Sequence, residues 1–188
     1  MKKLLIGIIL INCILGNIVA EEKQVFMVYG NDFMVNIPLP EYWQVDMDFA
    51  AQNRINGFFY IDDYGIQNSP VGIILSLVTK PSNKSKLSEY IEWDKNYLLN
   101  NYKNYTFTEI VKDSNQSQKY GYEIIIYEFR SNTGNEHYQN IAYIDCKSNC
   151  FIKIYIDCKI KDGTESYIRD FIASAYEINF MNITLQKK

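Results

Sequence analysis

Residues 71–79 read VGIILSLVT, and this stretch decides the fold class. Its apolar side chains stand at both odd and even positions, so a β-strand of this sequence cannot leave either face in water. Ile124, Ile125 and Ile126 repeat the pattern further along the chain. Both segments are therefore predicted to be central strands of a sheet whose two faces are covered by helices or by a second sheet.

Two segments have the periodicity of helices that could cover such a sheet. The first runs from about residue 86 to 101, with Ser85 as its N-cap and an apolar stripe that Asp94 interrupts. The second spans residues 164–178, where apolar side chains recur at helical spacing at Ile168, Phe171, Ile172, Ala175 and Ile178. With strand-like segments at 24–29, 33–37, 43–46 and 55–61, the pattern predicts an α+β domain. We expect a mainly antiparallel β-sheet flanked by helices, in a layered α/β/α sandwich.

A β-hairpin is predicted between residues 138 and 160, where two alternating strands flank residues 147–149. Pairing Cys146 with Cys150 across this loop aligns Ile144 with Ile152, Ala142 with Ile154 and Asn140 with Ile156. A shift of one residue would set Asp145 against Ile152 and mix the two faces of the hairpin. The pairing of Cys146 with Cys150 is therefore the predicted register.

The same register brings the backbones of Cys146 and Cys150 to about 5.5 Å, which a disulfide accepts. A disulfide and two thiols both stay open, because a loop this short gains little from the cross-link. Cys158 falls on the inward face and is expected to be a buried thiol. These cysteines and His137 have the chemistry of zinc ligands, but they extend along two strands, so no metal site is predicted.

Residues 1–20 read MKKLLIGIILINCILGNIVA and have the composition of a secretory signal peptide cleaved after Ala20. The apolar run is shorter than the roughly 20 residues that a membrane span needs. An uncleaved anchor and a lipoprotein signal with Cys13 as the lipidated residue are the alternatives. We expect a single domain over residues 21–188, in the periplasm or secreted, with no transmembrane span after cleavage.

Charge and motifs exclude several classes of function. Nineteen basic residues stand against 22 acidic ones, a formal net charge of -3, so no nucleic-acid partner is expected. The sequence contains no nucleophile-elbow, zincin, phosphate-loop or dinucleotide motif. No catalytic residue, cofactor or metal ligand is therefore predicted.

The stretch FMVNIPLPEYWQV, residues 33–45, contains the pattern P-x-P-x-x-W between two strands. With the order of the elements, it resembles the PsbP family of thylakoid-lumen photosystem II proteins and its DcrB-like periplasmic bacterial relatives. The helix near Ser85, the hairpin and the closing helix are also similar, so the resemblance covers about residues 24–180. It implies an antiparallel sheet flanked by helices, and members that act by binding other proteins rather than by catalysis.

The predicted contact surface combines the turn 38–43 with the loop 62–70, because loops on a rigid sheet commonly carry recognition. Its candidate partner-binding residues are Tyr42, Trp43, Asp62, Asp63 and Tyr64. Trp43 is either an anchor for the partner or a core residue, and the core role is favoured.

The sequence thus predicts an exported bacterial accessory or binding protein without enzymatic activity, which contacts an envelope or extracellular protein. A small envelope hydrolase is one alternative, using a cysteine with His137 or a carboxylate pair such as Asp46 and Asp48. A surface-exposed host-contact or antigen protein is the other.

Overall fold

The computed structural model describes residues 24–29, 33–40, 42–80, 86–112, 123–132, 137–145, 149–159 and 165–182. Within these ranges the strands are β1 Gln24–Tyr29, β2 Phe33–Leu39, β3 Trp43–Val45, β4 Gly57–Ile61, β5 Val71–Thr79, β6 Tyr105–Lys112, β7 Glu123–Ser131, β8 His137–Asp145, β9 Cys150–Lys159 and β10 Asn179–Asn182. The helices are α1 Met47–Gln52, α2 Gly65–Asn68, α3 Leu87–Asn101 and α4 Glu165–Tyr176, with a 3-10 turn at Asp62–Tyr64.

The described strands form two antiparallel sheets. The large sheet has seven strands in the order β3-β4-β5-β9-β8-β7-β6, and the small sheet has three in the order β1-β2-β10. In the large sheet β5 lies between β4 and β9, so its predicted central position is confirmed. Strands β6 and β10 were not predicted from the sequence.

One face of the large sheet is covered by the small sheet and by α4. Val35 and Ile37 of β2 pack with Leu75 of β5, and Phe171 and Ala175 of α4 join the same apolar cluster. The predicted α+β class with a mainly antiparallel sheet is confirmed. The cover on this face is a second sheet together with one helix, whereas the predicted sandwich had helices alone.

The opposite face is covered by two helices over different strands. Helix α3 packs Leu87, Tyr90 and Ile91 against β7, β8 and β9. Helix α1 places Phe49 against Phe58 of β4, with ring centroids 4.4 Å apart. The second face of β5 is half-buried, at Gly72, Ile74, Ser76 and Val78.

The hairpin of β8 and β9 has the predicted register. Ile144 lies opposite Ile152, Ala142 opposite Ile154 and Asn140 opposite Ile156. Ile152, Ile154 and Ile156 alternate with Lys153, Tyr155 and Asp157 along β9, so a slip of one residue would set the apolar side chains of one strand against polar ones of the other. Cys146 lies outside the described residues, so the choice between a disulfide with Cys150 and two thiols stays open.

Two helix boundaries differ slightly from the predicted ones. Helix α3 has Lys86 as its N-cap, and the backbone N–H of Lys86 donates to Glu89 at 3.5 Å. Ser85, the predicted cap, lies outside the described residues. Helix α4 ends at Tyr176, so Ile178 belongs to the connection before β10, where it is still buried.

None of the helices in the described ranges has the length and apolar character that a membrane crossing requires. Residues 1–20 are not among the described residues, so the signal peptide, its alternatives and the single-domain boundary stay predictions.

Candidate functional site

The two segments predicted to form the contact surface lie side by side. Strands β3 and β4 are antiparallel, with Trp43 opposite Ile61. Tyr42 directly precedes β3 and Asp62 directly follows β4, so the pairing brings them together. The backbone N–H of Asp62 donates to the carbonyl oxygen of Tyr42 at 3.1 Å. The turn before β3 and the loop after β4 are thus joined by the sheet itself.

Tyr167 of α4 completes this surface. Its ring centroid lies 6.1 Å from that of Tyr42 and 6.4 Å from that of Trp43. Burial raises the pKa of Tyr167 above its usual value, and electrostatic interactions with Tyr64 and Asp63 add to the rise. We call Tyr42, Tyr64 and Tyr167, with the carboxylates Asp62 and Asp63, the tyrosine patch.

Exposure separates the predicted residues into two groups. Tyr42 is 37% exposed and Tyr64 is 49% exposed, and Asp62 and Asp63 are also exposed. Trp43 is only 1% exposed, so it occupies the core position that the sequence favoured. Its side chain supports the patch from below, and a partner at the surface would meet the tyrosines and the aspartates.

The loop that carries Asp62, Asp63 and Tyr64 is fixed at its far end. The Ser69 hydroxyl donates to the carbonyl oxygen of Val71 at 2.6 Å and accepts from the backbone N–H of Ile61 at 3.1 Å. Gly65 has φ +64°, which lets the backbone turn from the 3-10 segment into α2 without the strain that a Cβ would bring. The patch therefore rests on a rigid scaffold.

A small apolar cavity lies beneath the patch, between β2, the large sheet and α4. Its volume is about 20 Å³, room for about one water molecule. The indole N–H of Trp43 is buried and has no hydrogen-bond partner among the described residues. The cavity is lined by Ile37, Leu39, Pro40, Trp43, Phe59, Ile73, Ile154, Phe171 and Ala175. None of these side chains can act as an acid, a base or a nucleophile.

The residues that a hydrolase would use lie in different environments. Cys158 is fully buried, and burial raises the pKa of its thiol to about 12, with Asp157 adding to the rise. A nucleophilic cysteine needs the thiolate, which such a pKa suppresses at neutral pH. Strand β8 begins at His137, whose side chain is outside the described part of the structure.

The carboxylate pairs have structural or surface positions. Asp46 caps α1, because its Oδ1 accepts from the backbone N–H of Phe49 at 2.7 Å. Asp48 is exposed on the same helix. In the part of the chain that is described, no three His, Cys, Asp or Glu residues gather as metal ligands would. The described carboxylates Asp46 and Asp48 are thus a helix cap and an exposed surface charge.

Asp94, which interrupts the predicted apolar stripe of α3, is buried in the contact with the large sheet. Its Oδ2 accepts from the hydroxyl of Tyr143 and from the ammonium of Lys153, both at 2.6 Å. Burial raises the pKa of Tyr143 far above its usual value, and the charge of Asp94 adds to the rise. This cluster fixes α3 on the sheet.

Helix α3 also carries a row of parallel aromatic rings from the core to the surface. Tyr90 stacks on Phe151 at 5.2 Å, Trp93 on Tyr90 at 6.0 Å, and Tyr97 on Trp93 at 6.1 Å. Tyr97 is exposed. The row offers a second aromatic surface, away from the tyrosine patch.

Sequence reasoning missed Tyr167 as a member of the patch. The spacing could have indicated that Tyr167 lies on the buried face of α4, because it precedes Phe171 by four residues and Ala175 by eight. The first residue of a buried stripe often lies at the rim of the core, where an aromatic ring can reach solvent.

Comparison with solved structures finds the same fold in two bacterial proteins. LpqN of Mycobacterium tuberculosis, described as involved in cell envelope biogenesis, has a TM-score of 0.53 and 11% identity, and the match covers 89% of this chain and 96% of LpqN. The cyanobacterial PsbP of Synechocystis sp. PCC 6803 has a TM-score of 0.58 and 10% identity, over 88% of this chain and 96% of that protein. The chain has a PsbP-like fold.

The PsbP-like fold confirms the resemblance that the P-x-P-x-x-W stretch indicated. No protein-family model matches the sequence, and comparison with curated proteins finds no significant match. At 10% and 11% identity the likeness concerns the fold alone. The function must therefore be argued from this chain's own surface.

Proposed function

We propose that this protein is a non-enzymatic binding protein of the bacterial cell envelope, and that the tyrosine patch contacts its protein partner. The observation that carries the proposal is the convergence of the β3 turn, the loop after β4 and α4 on one exposed aromatic surface with two carboxylates. Aromatic clusters on a rigid scaffold are typical of protein interfaces.

The chemistry of the patch indicates the kind of partner. Tyr42 and Tyr64 present large, stiff side chains that lose little conformational freedom on binding. Asp62 and Asp63 add negative charge beside them, and tyrosine faces attract cations as well. A partner segment with lysine or arginine next to apolar side chains fits this surface best.

Two features support an envelope location. Residues 1–20 have the composition of a signal peptide. The PsbP-like fold is shared with LpqN, a protein described as involved in cell envelope biogenesis. The protonated, buried thiol of Cys158 and the apolar lining of the cavity support binding over catalysis.

Affinity capture with chemical cross-linking from an envelope extract tests the proposal, followed by titration of the purified partner. We expect Tyr42→Ala and Tyr64→Ala each to raise the Kd by about tenfold, the usual cost of losing a central aromatic contact. Tyr97→Ala is the matched control, because it removes an exposed tyrosine from α3.

The charge of the patch has its own test. Changing Asp62→Asn and Asp63→Asn together should slow association and weaken its dependence on salt, since rim charges act mainly on the association rate. The tyrosine patch would not be the binding surface if all four patch substitutions left the affinity for the partner unchanged. The same conclusion would follow if only Tyr97→Ala abolished binding.

A further inference from the structure

Strand β1 forms an edge of the small sheet that lacks the features that usually prevent strand addition. Its sequence QVFMVY has no charge and no proline, and all six residues pair with β2 in unbroken register. Within the described strands β1 pairs only with β2. Long, uncharged, regular edges readily pair with another strand.

The other three sheet edges among the described strands each have a feature that hinders the addition of a strand. Strand β3 has only three residues and β10 only four, so neither offers much backbone to a new strand. Strand β6 carries Glu109 and Lys112, and its register with β7 is broken between Glu109 and Val111. Short length, charge and irregularity are the common protections of sheet edges.

The side chains of β1 also form an exposed apolar row. Val25, Met27 and Tyr29 are 49%, 50% and 61% exposed, and they alternate with Phe26 and Val28, which face the core. The hydroxyl of Tyr29 donates to the sulfur of Met27 at 3.7 Å, so two of the three side chains in the row are in contact.

We propose that β1 pairs antiparallel with β1 of a second copy of this chain, across a two-fold axis at Met27. In this register Val25 lies opposite Tyr29 of the second copy on the exposed row, and Phe26 lies opposite Val28 on the core face. Residues opposite each other in antiparallel strands share a face of the sheet, so each apolar side chain of β1 lies opposite another apolar side chain.

The absence of charge is what favours a second copy. A two-fold interface sets residues against themselves, so any charge at its centre would face a like charge. Strand β1 has none, and the pairing would join two three-stranded sheets into one continuous sheet. A lipid surface fits less well, because Asn36 lies beside Met27 in the middle of the face. The dimer is independent of the tyrosine patch.

Sedimentation equilibrium of the exported protein, over a range of concentrations, tests the proposal. We expect a reversible dimer whose Kd rises by about tenfold or more with Met27→Lys, because the axis then sets two ammonium groups against each other. Ile110→Lys is the matched control, since it places a lysine at an exposed apolar position of the β6 edge. It should leave the dimer unchanged.

Cross-linking fixes the register. Met27→Cys should form an intermolecular disulfide under mild oxidation, because opposed residues at the axis lie within about 5.5 Å. Val25→Cys should not, since each Val25 lies opposite Tyr29 and far from its own copy. A protein that is monomeric at all concentrations, that binds vesicles through β1, or that cross-links at Val25 instead would overturn the proposal.

Discussion

The two faces of the large sheet are stabilised in different ways. Toward the small sheet and α4 the buried side chains are almost all apolar, and Phe171 packs among isoleucines. Toward α3 the contact contains the buried ion pair of Asp94 and Lys153. The first face depends on the removal of apolar surface from water, and the second depends also on exact pairing of charges that are costly to bury.

The largest expected effect is on the apolar face. Phe171→Asp places a carboxylate in the apolar cluster, and the described residues that line the cavity beside it include no cation, so the change costs about 4 kcal/mol or more. We expect the soluble yield to fall to near zero. Phe171→Leu is the control, because it keeps an apolar side chain at the same position, and it should give folded protein. A normal melting temperature for Phe171→Asp would mean that α4 does not pack on the sheet.

A smaller effect is expected on the face under α3. Asp94→Ala leaves the ammonium of Lys153 and the hydroxyl of Tyr143 without their shared acceptor, at a cost of about 3 kcal/mol. Urea denaturation measures this loss. The double change Asp94→Leu with Lys153→Met should recover part of it, because the ion pair is replaced by apolar side chains of similar size while the hydroxyl of Tyr143 stays without its acceptor. If the double variant were as unstable as the single one, the charges would not be the cause.

The smallest effect appears only at alkaline pH, on the apolar face. The folded state raises the pKa of Cys158 from 9.0 to about 12, so the unfolded chain loses this proton first. The stabilising contribution is complete below about pH 9 and falls as the pH rises toward 12, by at most about 1.4 kcal/mol per pH unit.

Urea denaturation of the wild type and of Cys158→Ala, at a series of pH values above neutrality, checks this slope. Tyrosines titrate in both proteins, so only the difference between the two slopes belongs to the thiol. Stability that falls equally steeply in both proteins would show that Cys158 is already ionised or exposed.

Local periodicity accounts for what the sequence predicted correctly. The register of β8 and β9 follows from the alternation of apolar and polar side chains along β9, and α4 follows from its stripe at Phe171 and Ala175. Tyr42, Asp62, Asp63 and Tyr64 lie together and exposed because turns and loops at sheet ends are recognisable in sequence, and their role in partner binding stays a prediction.

Contacts between distant segments account for what the sequence did not predict. Asp94 interrupts the apolar stripe of α3, and the local pattern could not explain it, because its partner Lys153 lies 59 residues away in the sequence. Tyr167 joined the patch through the packing of α4, and β10 became a strand by pairing with β2 at the other end of the chain. Such pairings depend on the whole fold.

The pairing of β5 with β9 joins residues 71–79 to residues 150–158, and β2 is joined to β10 near the end of the described chain. Neither sheet can therefore be completed on a ribosome until almost the whole sequence has emerged. High contact order of this kind slows folding. The export proposed above would make use of that delay, because a translocation channel passes only an unfolded chain.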